Sequence, residues 1–438
     1  MKEVRIGFVG LGTVGAGALA ALTAEPETIA RKAGTPLRVT RAAVRDPELP
    51  RPVDLNGVAL TTDALAVATD PEIDLVVEVM GGVGLAREVV SAALRAGKSV
   101  VTANKELIAK HGRELFALAD QHGADLAFEG SVGGGIPIIA PLGHGLTANR
   151  VHQVVGIING TTNYILSAMT RSGQPFDQLL AEAQAKGYAE ADPTDDVEGH
   201  DAAYKLTILA MLAFNTAVAE EQVYREGISS LQPEDIALAH QLGYVFKLLA
   251  VAKDRGDRLE LRVSPCLVPE KHPLASVNDV YNAIFIEAEP VGQVMFYGRG
   301  AGADPTGSAV AGDIVAVARN LGRGGRRGYP LAFDDQRPVA TLDQIESSYY
   351  VRMRIVDRAG VLATLAGVLG DHGVSIAQVL QTAHNDCDCG CDCAGAELVW
   401  ITHHTTEASI RDSLSVMRGL DVVNCICNVY RCFGVDGD

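Results

Sequence analysis

Apolar and polar positions follow two rhythms along the chain. Val4 to Val9 is a short apolar run that leads into Gly10-Leu-Gly12-Thr13-Val14-Gly15 and an alanine-rich stretch, AGALAALTA. Similar runs recur at Arg38 to Val44, Ile73 to Val79, Ser99 to Thr102 and Asp125 to Phe128. Between them lie stretches of helical period such as KELIAKHGRELFALA. Continuous apolar runs alternating with helices predict a parallel, doubly wound sheet buried on both faces. Further on, Val151 to Ile158 reads as a strand and AAYKLTILAML, from about His200, as a helix. SAVAGDIVAVARNL reads as another helix, behind a glycine loop that starts at Gly298.

Residues 321–347 are rich in Gly, Arg, Pro and Asp and read as a linker. Beyond it the expected order is strand (349–356), helix (361–372), strand (375–381), strand (396–403), helix (407–419) and strand (422–430). That βαββαβ order predicts a small ferredoxin-like domain, with either regulation or dimerisation as its purpose. The fold class is therefore α/β: a Rossmann-type domain over 1–135 completed by about 300–320, an α+β domain over 136–320, the linker, and the ferredoxin-like domain over 348–435.

Composition narrows the partners. The chain is 47% hydrophobic and 21% charged over 438 residues, as expected of globular domains with real cores. Its net charge of −17 argues against nucleic acid and anionic membranes. The chain opens directly on a strand, and no apolar run reaches the ~18 residues of a membrane span, so a cytoplasmic protein is expected.

The candidate chemistry lies at strand ends and loops. Gly10, Gly12 and Gly15 form a GxGxxG turn between strand and helix, suited to a dinucleotide pyrophosphate. After the second strand, Arg45 suits a 2′-phosphate and so NADP; the alternative is Asp46 on a ribose hydroxyl and NAD. Gly81 and Lys105 follow two later strands, where such a sheet places its ligand crevice. Lys105 opens a helix, where the dipole disfavours a cation, so a functional role is expected for it. The loop Glu129 to Pro137 either aims backbone carbonyls at a hard cation or acts as a hinge. Asn159-Gly-Thr161-Thr162-Asn163 precedes YILSAMT, with Thr161 or Thr162 either capping that helix or forming a polar wall.

Gly187 to Lys205, GYAEADPTDDVEGHDAAYK, crowds acids around one lysine. Helical spacing puts Asp201 and Lys205 on one face, as either a surface ion pair or a clamp for a small charged ligand. Seven of the cysteines lie after residue 386. The run Cys387-Asp-Cys389-Gly-Cys391-Asp-Cys393, with Cys425, Cys427 and Cys432, admits a flexible reduced loop, a soft-metal site or a redox switch.

Together these motifs resemble homoserine dehydrogenase, the monofunctional type with a C-terminal ACT domain, over nearly the whole chain. The landmarks are GYAEADP with Asp196, Gly199, Asp201 and Lys205, together with NGTTNYIL, VTANK and GxGAGxxPT. The resemblance implies reversible, NADP-dependent (NAD possible) interconversion of L-homoserine and L-aspartate 4-semialdehyde. It implies a proton-donating Lys205, with Lys105 near both nicotinamide and substrate. Glu190 and Asp201 would bind substrate, Gly187 and Gly302 would border the cofactor, and residues 136–320 would also dimerise. Carbonyls of Glu129, Val132, Gly134 and Ile136 would hold sodium, threonine would be the effector at the ACT domain, and the assembly would be a homodimer or homotetramer. The alternative is a catalytically silent amino-acid sensor that keeps a dinucleotide.

Overall fold

The computed structural model describes residues 3–325, 333, 337–384 and 395–434. Its first sheet has six parallel strands: β1 (Val4–Val9), β2 (Leu37–Ala43), β3 (Ala59–Thr61), β4 (Leu75–Glu78), β5 (Ser99–Thr102) and β6 (Leu126–Ala127). Their order is β3-β2-β1-β4-β5-β6, which is the Rossmann order. β4 and β5 are buried along their whole length, as their unbroken apolar runs require.

The helix Ala303–Gly322 returns from far along the chain to pack on Thr13–Ala24. Gly17 and Gly307 mark the crossing. A Cβ on Gly17 would stand 2.2 Å from the carbonyl oxygen of Ala303, so the two backbones touch. This crossing carries the Gly298–Gly302 loop to the first turns of helix Thr13–Ala24, the helix that follows β1.

The second sheet joins the rest of the chain. Its first strands in chain order are β7 (Arg150–Ile157), β8 (Tyr224–Arg225), β9 (Tyr244–Asp254), β10 (Leu259–Pro269), β11 (Tyr281–Glu289) and β12 (Gly292–Arg299). The terminal region adds β13 (Glu346–Ile355), β14 (Ile376–His384), β15 (Gly395–Thr402), β16 (Thr405–Thr406) and β17 (Val423–Cys432), with helices Val361–Asp371 and Glu407–Met417. The main path runs β12-β11-β7-β9-β10-β17-β13-β15-β14.

The terminal elements follow the expected order, but their sheet does not stand apart. β17 pairs in parallel with β10 at Cys266–Arg431 and Leu267–Cys432 and joins the two regions edge to edge. A buried ion pair reinforces the joint: Arg352 Nε lies 2.7 Å from Asp235 Oδ1, with side chains 6% and 0% exposed. Tyr350 and Asn428 also donate to Asp235, at 3.1 and 2.6 Å. The expected linker is shorter at both ends than 321–347. The preceding helix runs to Gly322, Val339 bridges Leu259 beside β10, and β13 begins at Glu346. Among the described residues no helix is long and apolar enough to cross a membrane.

Candidate active site

Three helix starts from distant parts of the chain converge on one cavity. At the end of β5, Asn104 caps helix Lys105–Gln121 by accepting from Leu107 N at 3.0 Å. Its amide donates to Gly82 O at 2.6 Å, which ties the helix start to the turn after β4. Glu78, fully buried, holds the same turn by accepting from Met80 N (2.9 Å) and Thr102 Oγ1 (2.7 Å). Burial pushes its pKa up against those hydrogen bonds.

After β7, Asn159 caps helix Gly160–Ser172, accepting from Thr162 N at 2.9 Å. The expectation of a Thr161 or Thr162 cap is corrected here: both threonines already lie inside the helix, while Asn159 has the extended backbone of a cap residue. The third start is helix His200–Phe214, which carries Asp201 in its first turn and Lys205 one turn on.

The structure brings Lys105, Asp201 and Lys205 into contact. Lys205 Nζ donates to Asp201 Oδ2 at 2.6 Å and to the carbonyl of Ile158 at 2.8 Å. The other carboxylate oxygen of Asp201 accepts from Lys105. The surface-pair reading of Asp201 and Lys205 does not hold, because their side chains are only 6% and 10% exposed. Asn159 Nδ2 donates to Asp201 Oδ2 (3.0 Å) and to Asp196 Oδ1 (2.6 Å). Thr161 Oγ1 donates to Asp196 Oδ2 at 2.9 Å and lies 2.7 Å from the carbonyl of Tyr188, so Asp196 ties the acidic loop to this helix start.

The electrostatics separate the two lysines. Burial lowers the pKa of Lys205, and the ammonium of Lys105 lowers it further, against the pull of Asp201 and Asp196. Lys105 goes the other way: burial lowers it, but Asp201, Asp196 and Asp195 outweigh burial and raise it. Burial opposes ionisation of Asp201, yet Lys205 and Lys105 hold its carboxyl well below the usual range. The cluster is thus one carboxylate shared by two cations of opposite shift.

These groups line a cavity of about 440 Å³. Glu190 stands at its exposed rim, with its backbone carbonyl accepting from Gln184 Nε2 at 3.0 Å. Gly187, at φ +74°, closes the preceding helix beside it. Gly302 lines the far wall and caps helix Ala303–Gly322, with Arg299 nearby.

The glycine turn fits a dinucleotide. Gly10 has φ +104°, and a Cβ there would stand 2.7 Å from Val79 O. A Cβ on Gly15 would meet Gly10 O at 2.4 Å, whereas Gly12 faces open space. No side chain caps the helix that opens at Thr13 and Val14, which suits an anion bound at its N-terminus. Arg45 is exposed just past β2. Asp46 is also exposed, with one carboxylate oxygen accepting from Glu48 N at 2.9 Å on its own loop. Gly81 follows β4, exposed at φ +76°.

In the candidate cation loop, Glu129, Val132, Gly134 and Ile136 are all buried. The carboxylate of Glu129 accepts from Ile138, Ile139 and Ala140 N at 2.6, 2.7 and 2.8 Å, so it braces the loop. The backbone bonds at Ser131, Gly135 and Ile136 use the carbonyls of Phe128, Arg299 and Gly133, none of them a predicted ligand. Among the described residues no group of three His, Cys, Asp or Glu side chains is gathered for a metal. The Cys387 to Cys393 run lies outside the described residues.

Sequence reasoning missed Glu78 and the bridging role of Asn159. An acid closing the apolar run of β4 was the available signal for the first. The second needed the contact between Asn159 and Asp201, which no local pattern carries.

Known proteins resemble this chain closely. Residues 137–315 match the family described as homoserine dehydrogenase, and residues 10–129 match the one described as homoserine dehydrogenase, NAD binding domain. A homoserine dehydrogenase of Corynebacterium glutamicum is 44% identical, over 98% of this chain and 96% of that one. The crystal structure of a homoserine dehydrogenase from Thiobacillus denitrificans superposes with a TM-score of 0.91 at 42% identity, over 99% of this chain and 98% of that one. A hyperthermophilic archaeal homoserine dehydrogenase in complex with NADPH gives a TM-score of 0.60 at 25% identity, over 72% of this chain and 98% of that one.

Proposed function

We propose, for a chain that belongs to the homoserine dehydrogenase family, that Lys205 handles the proton of the reaction and Lys105 orients the substrate. The enzyme interconverts L-homoserine and L-aspartate 4-semialdehyde with NAD(P), a step of threonine, methionine and isoleucine biosynthesis. The observation that carries the residue roles is the setting of Lys205. Two acceptors engage an ammonium that has three N–H groups, and the same side chain lines the cavity. One donor remains for a substrate oxygen.

Bound NAD(P)H supplies the hydride that adds to the aldehyde carbon. Lys205 gives its proton to the oxygen as charge develops there, and in the reverse direction the neutral amine takes it back. Its depressed pKa favours both tasks by bringing the two protonation states closer in energy. Lys105, kept charged, holds the same oxygen or the neighbouring carbon chain in line. Asp201 fixes both lysines, and Glu190 at the rim is suited to the substrate's amino group.

Gly10, Gly12, Thr13, Val14 and Gly15 would hold the pyrophosphate, with Gly81, Lys105, Gly187 and Gly302 bordering the cofactor. Arg45 would take a 2′-phosphate. Asp46 is engaged in its own turn, which supports NADP over NAD. Carbonyls of Glu129, Val132, Gly134 and Ile136 would hold sodium. The terminal βαββαβ region acts as an ACT domain with threonine as effector. A homodimer or homotetramer is supported by edge strand β12, which exposes Met295 and Tyr297 at 40% and 54%. The charge and the lack of membrane-length helices among the described residues suit a cytoplasmic setting.

The test is homoserine-dependent reduction of NADP and of NAD, each with and without threonine and sodium. Reduction that is faster with NADP, supported by sodium and inhibited by threonine is expected. Cofactor binding without any homoserine-dependent reduction would instead mark a silent sensor.

A further inference from the structure

The terminal region carries a feature that the dehydrogenase reaction does not use. Cys425 and Cys427 lie two apart on β17, and their sulfurs are 3.6 Å apart. Both are half-buried and neither is in a disulfide. The strand is bent at this point by two irregularities. β13 pairs Arg352 with Asn428 but Met353 with Ile426, and Arg354 with Cys425 but Ile355 with Val423. Cys427 and Asn424 are therefore extra residues without a ladder partner. Bulges re-aim side chains, and a doubled bulge around a thiol pair is a built feature rather than a defect.

Geometry decides between the two uses of such a pair. A disulfide needs the sulfurs about 2.05 Å apart, which would require substantial further closure. A soft cation bound at about 2.3 Å to each sulfur needs none: with the sulfurs 3.6 Å apart, it would subtend an angle of about 100°, close to tetrahedral.

We propose that Cys425 and Cys427 chelate a thiophilic divalent cation of the zinc or cadmium class on β17. Each thiol gives up its proton to solvent as its sulfur binds, so two protons leave per ion and no oxidant is involved. Among the described residues no third His, Cys, Asp or Glu completes the set, so water or a thiol from solution fills the remaining positions. The ion would sit one residue from Asn428, whose side chain holds Asp235 at the joint between the two regions.

The experiment uses the full chain with Cys387, Cys389, Cys391 and Cys393 replaced by serine, titrated with cadmium ion alone. One cadmium per chain is expected, with the ultraviolet absorption of cadmium–thiolate bonds. Cys425→Ser/Cys427→Ser in the same background loses that equivalent. Cys427→Ala alone weakens binding at least ~100-fold, beyond what loss of an outer-shell partner costs. Homoserine turnover in every variant reports correct folding. Unchanged cadmium binding after both replacements, or none in the starting background, overturns the proposal.

Discussion

The carboxylate of Asp201 lies 2.6 Å from Nζ of Lys205, and its other oxygen holds the ammonium of Lys105. One acid thus organises two cations, Lys205 on its own helix and Lys105 96 residues away in sequence. The two lysines respond differently: Asp201 and its acidic neighbours outweigh burial at Lys105 and keep it protonated, whereas burial and the Lys105 ammonium outweigh Asp201 at Lys205 and push it toward the neutral form.

This asymmetry fixes a pH dependence. In the oxidation direction the neutral form of Lys205 acts as base, so kcat/KM rises with pH as Lys205 deprotonates. The midpoint falls below the ordinary lysine value of about 10.4, and reduction declines over the same range. Asp201→Asn removes an anion that favours the ammonium, so the limb moves acidward while kcat/KM falls. A pH–rate profile of both proteins checks this; a limb that stays in place in the variant contradicts it.

On the proposed reading, Arg45 sets the choice between NADP and NAD. Arg45→Ala is expected to raise KM for NADP at least ~10-fold, through loss of a charge-assisted contact, and to leave KM for NAD within about 2-fold. Initial rates with both cofactors measure it.

The joint at Asp235 and Arg352 is the physical route by which the terminal region reaches the catalytic sheet. Arg352 also engages buried Glu397, so Asp235→Leu, Arg352→Met and Glu397→Gln together remove the buried charges and avoid leaving one unpaired. Basal turnover is expected to stay within about 2-fold, while threonine inhibition weakens at least ~5-fold. Inhibition curves of the two proteins compare directly.

Lys247 makes a stability prediction. On β9 its ammonium donates to Val277 O at 2.5 Å and to Asn278 Oδ1 at 3.1 Å, beneath the helix that Asn159 starts. Burial pushes it down to about 8, with Asp279 opposing and Arg171 assisting. In the unfolded chain its pKa is about 10.4. Below about 8 both states carry the proton and the burial penalty is complete. Between the two values only the unfolded state keeps it, so this residue's contribution to stability rises with pH, by about 3 kcal/mol in all. Urea denaturation across that range should show the rise in the parent relative to Lys247→Met, which lacks this increment.

Much of the frame was legible because its signals are local. The glycine turn after Val9 and the unbroken runs of β4 and β5 imply a parallel sheet, and the terminal strands and helices appear in their expected order. What was not legible depends on contacts between distant residues. Nothing in the pattern around Cys266 or Arg431 announces that β10 and β17 pair, because either edge could have faced solvent. By spacing alone Asp201 and Lys205 allow either a surface bridge or a clamp for a charged ligand, since spacing reports a shared helix face but not what covers it. Asn159 was read as part of a polar cluster, and its contact with Asp201 arises only when two helix starts meet. The opposite shifts of Lys105 and Lys205 likewise follow from burial and distance, which the spacing of acids around a lysine does not contain.

The central claim is that Lys205 transfers the proton. The most direct measurement is kcat for semialdehyde reduction by Lys205→Ala, with folding checked by circular dichroism and cofactor binding by fluorescence. The account predicts a folded, cofactor-binding protein whose kcat is lower by about 10²–10⁴-fold. A folded variant with near-normal turnover would contradict it.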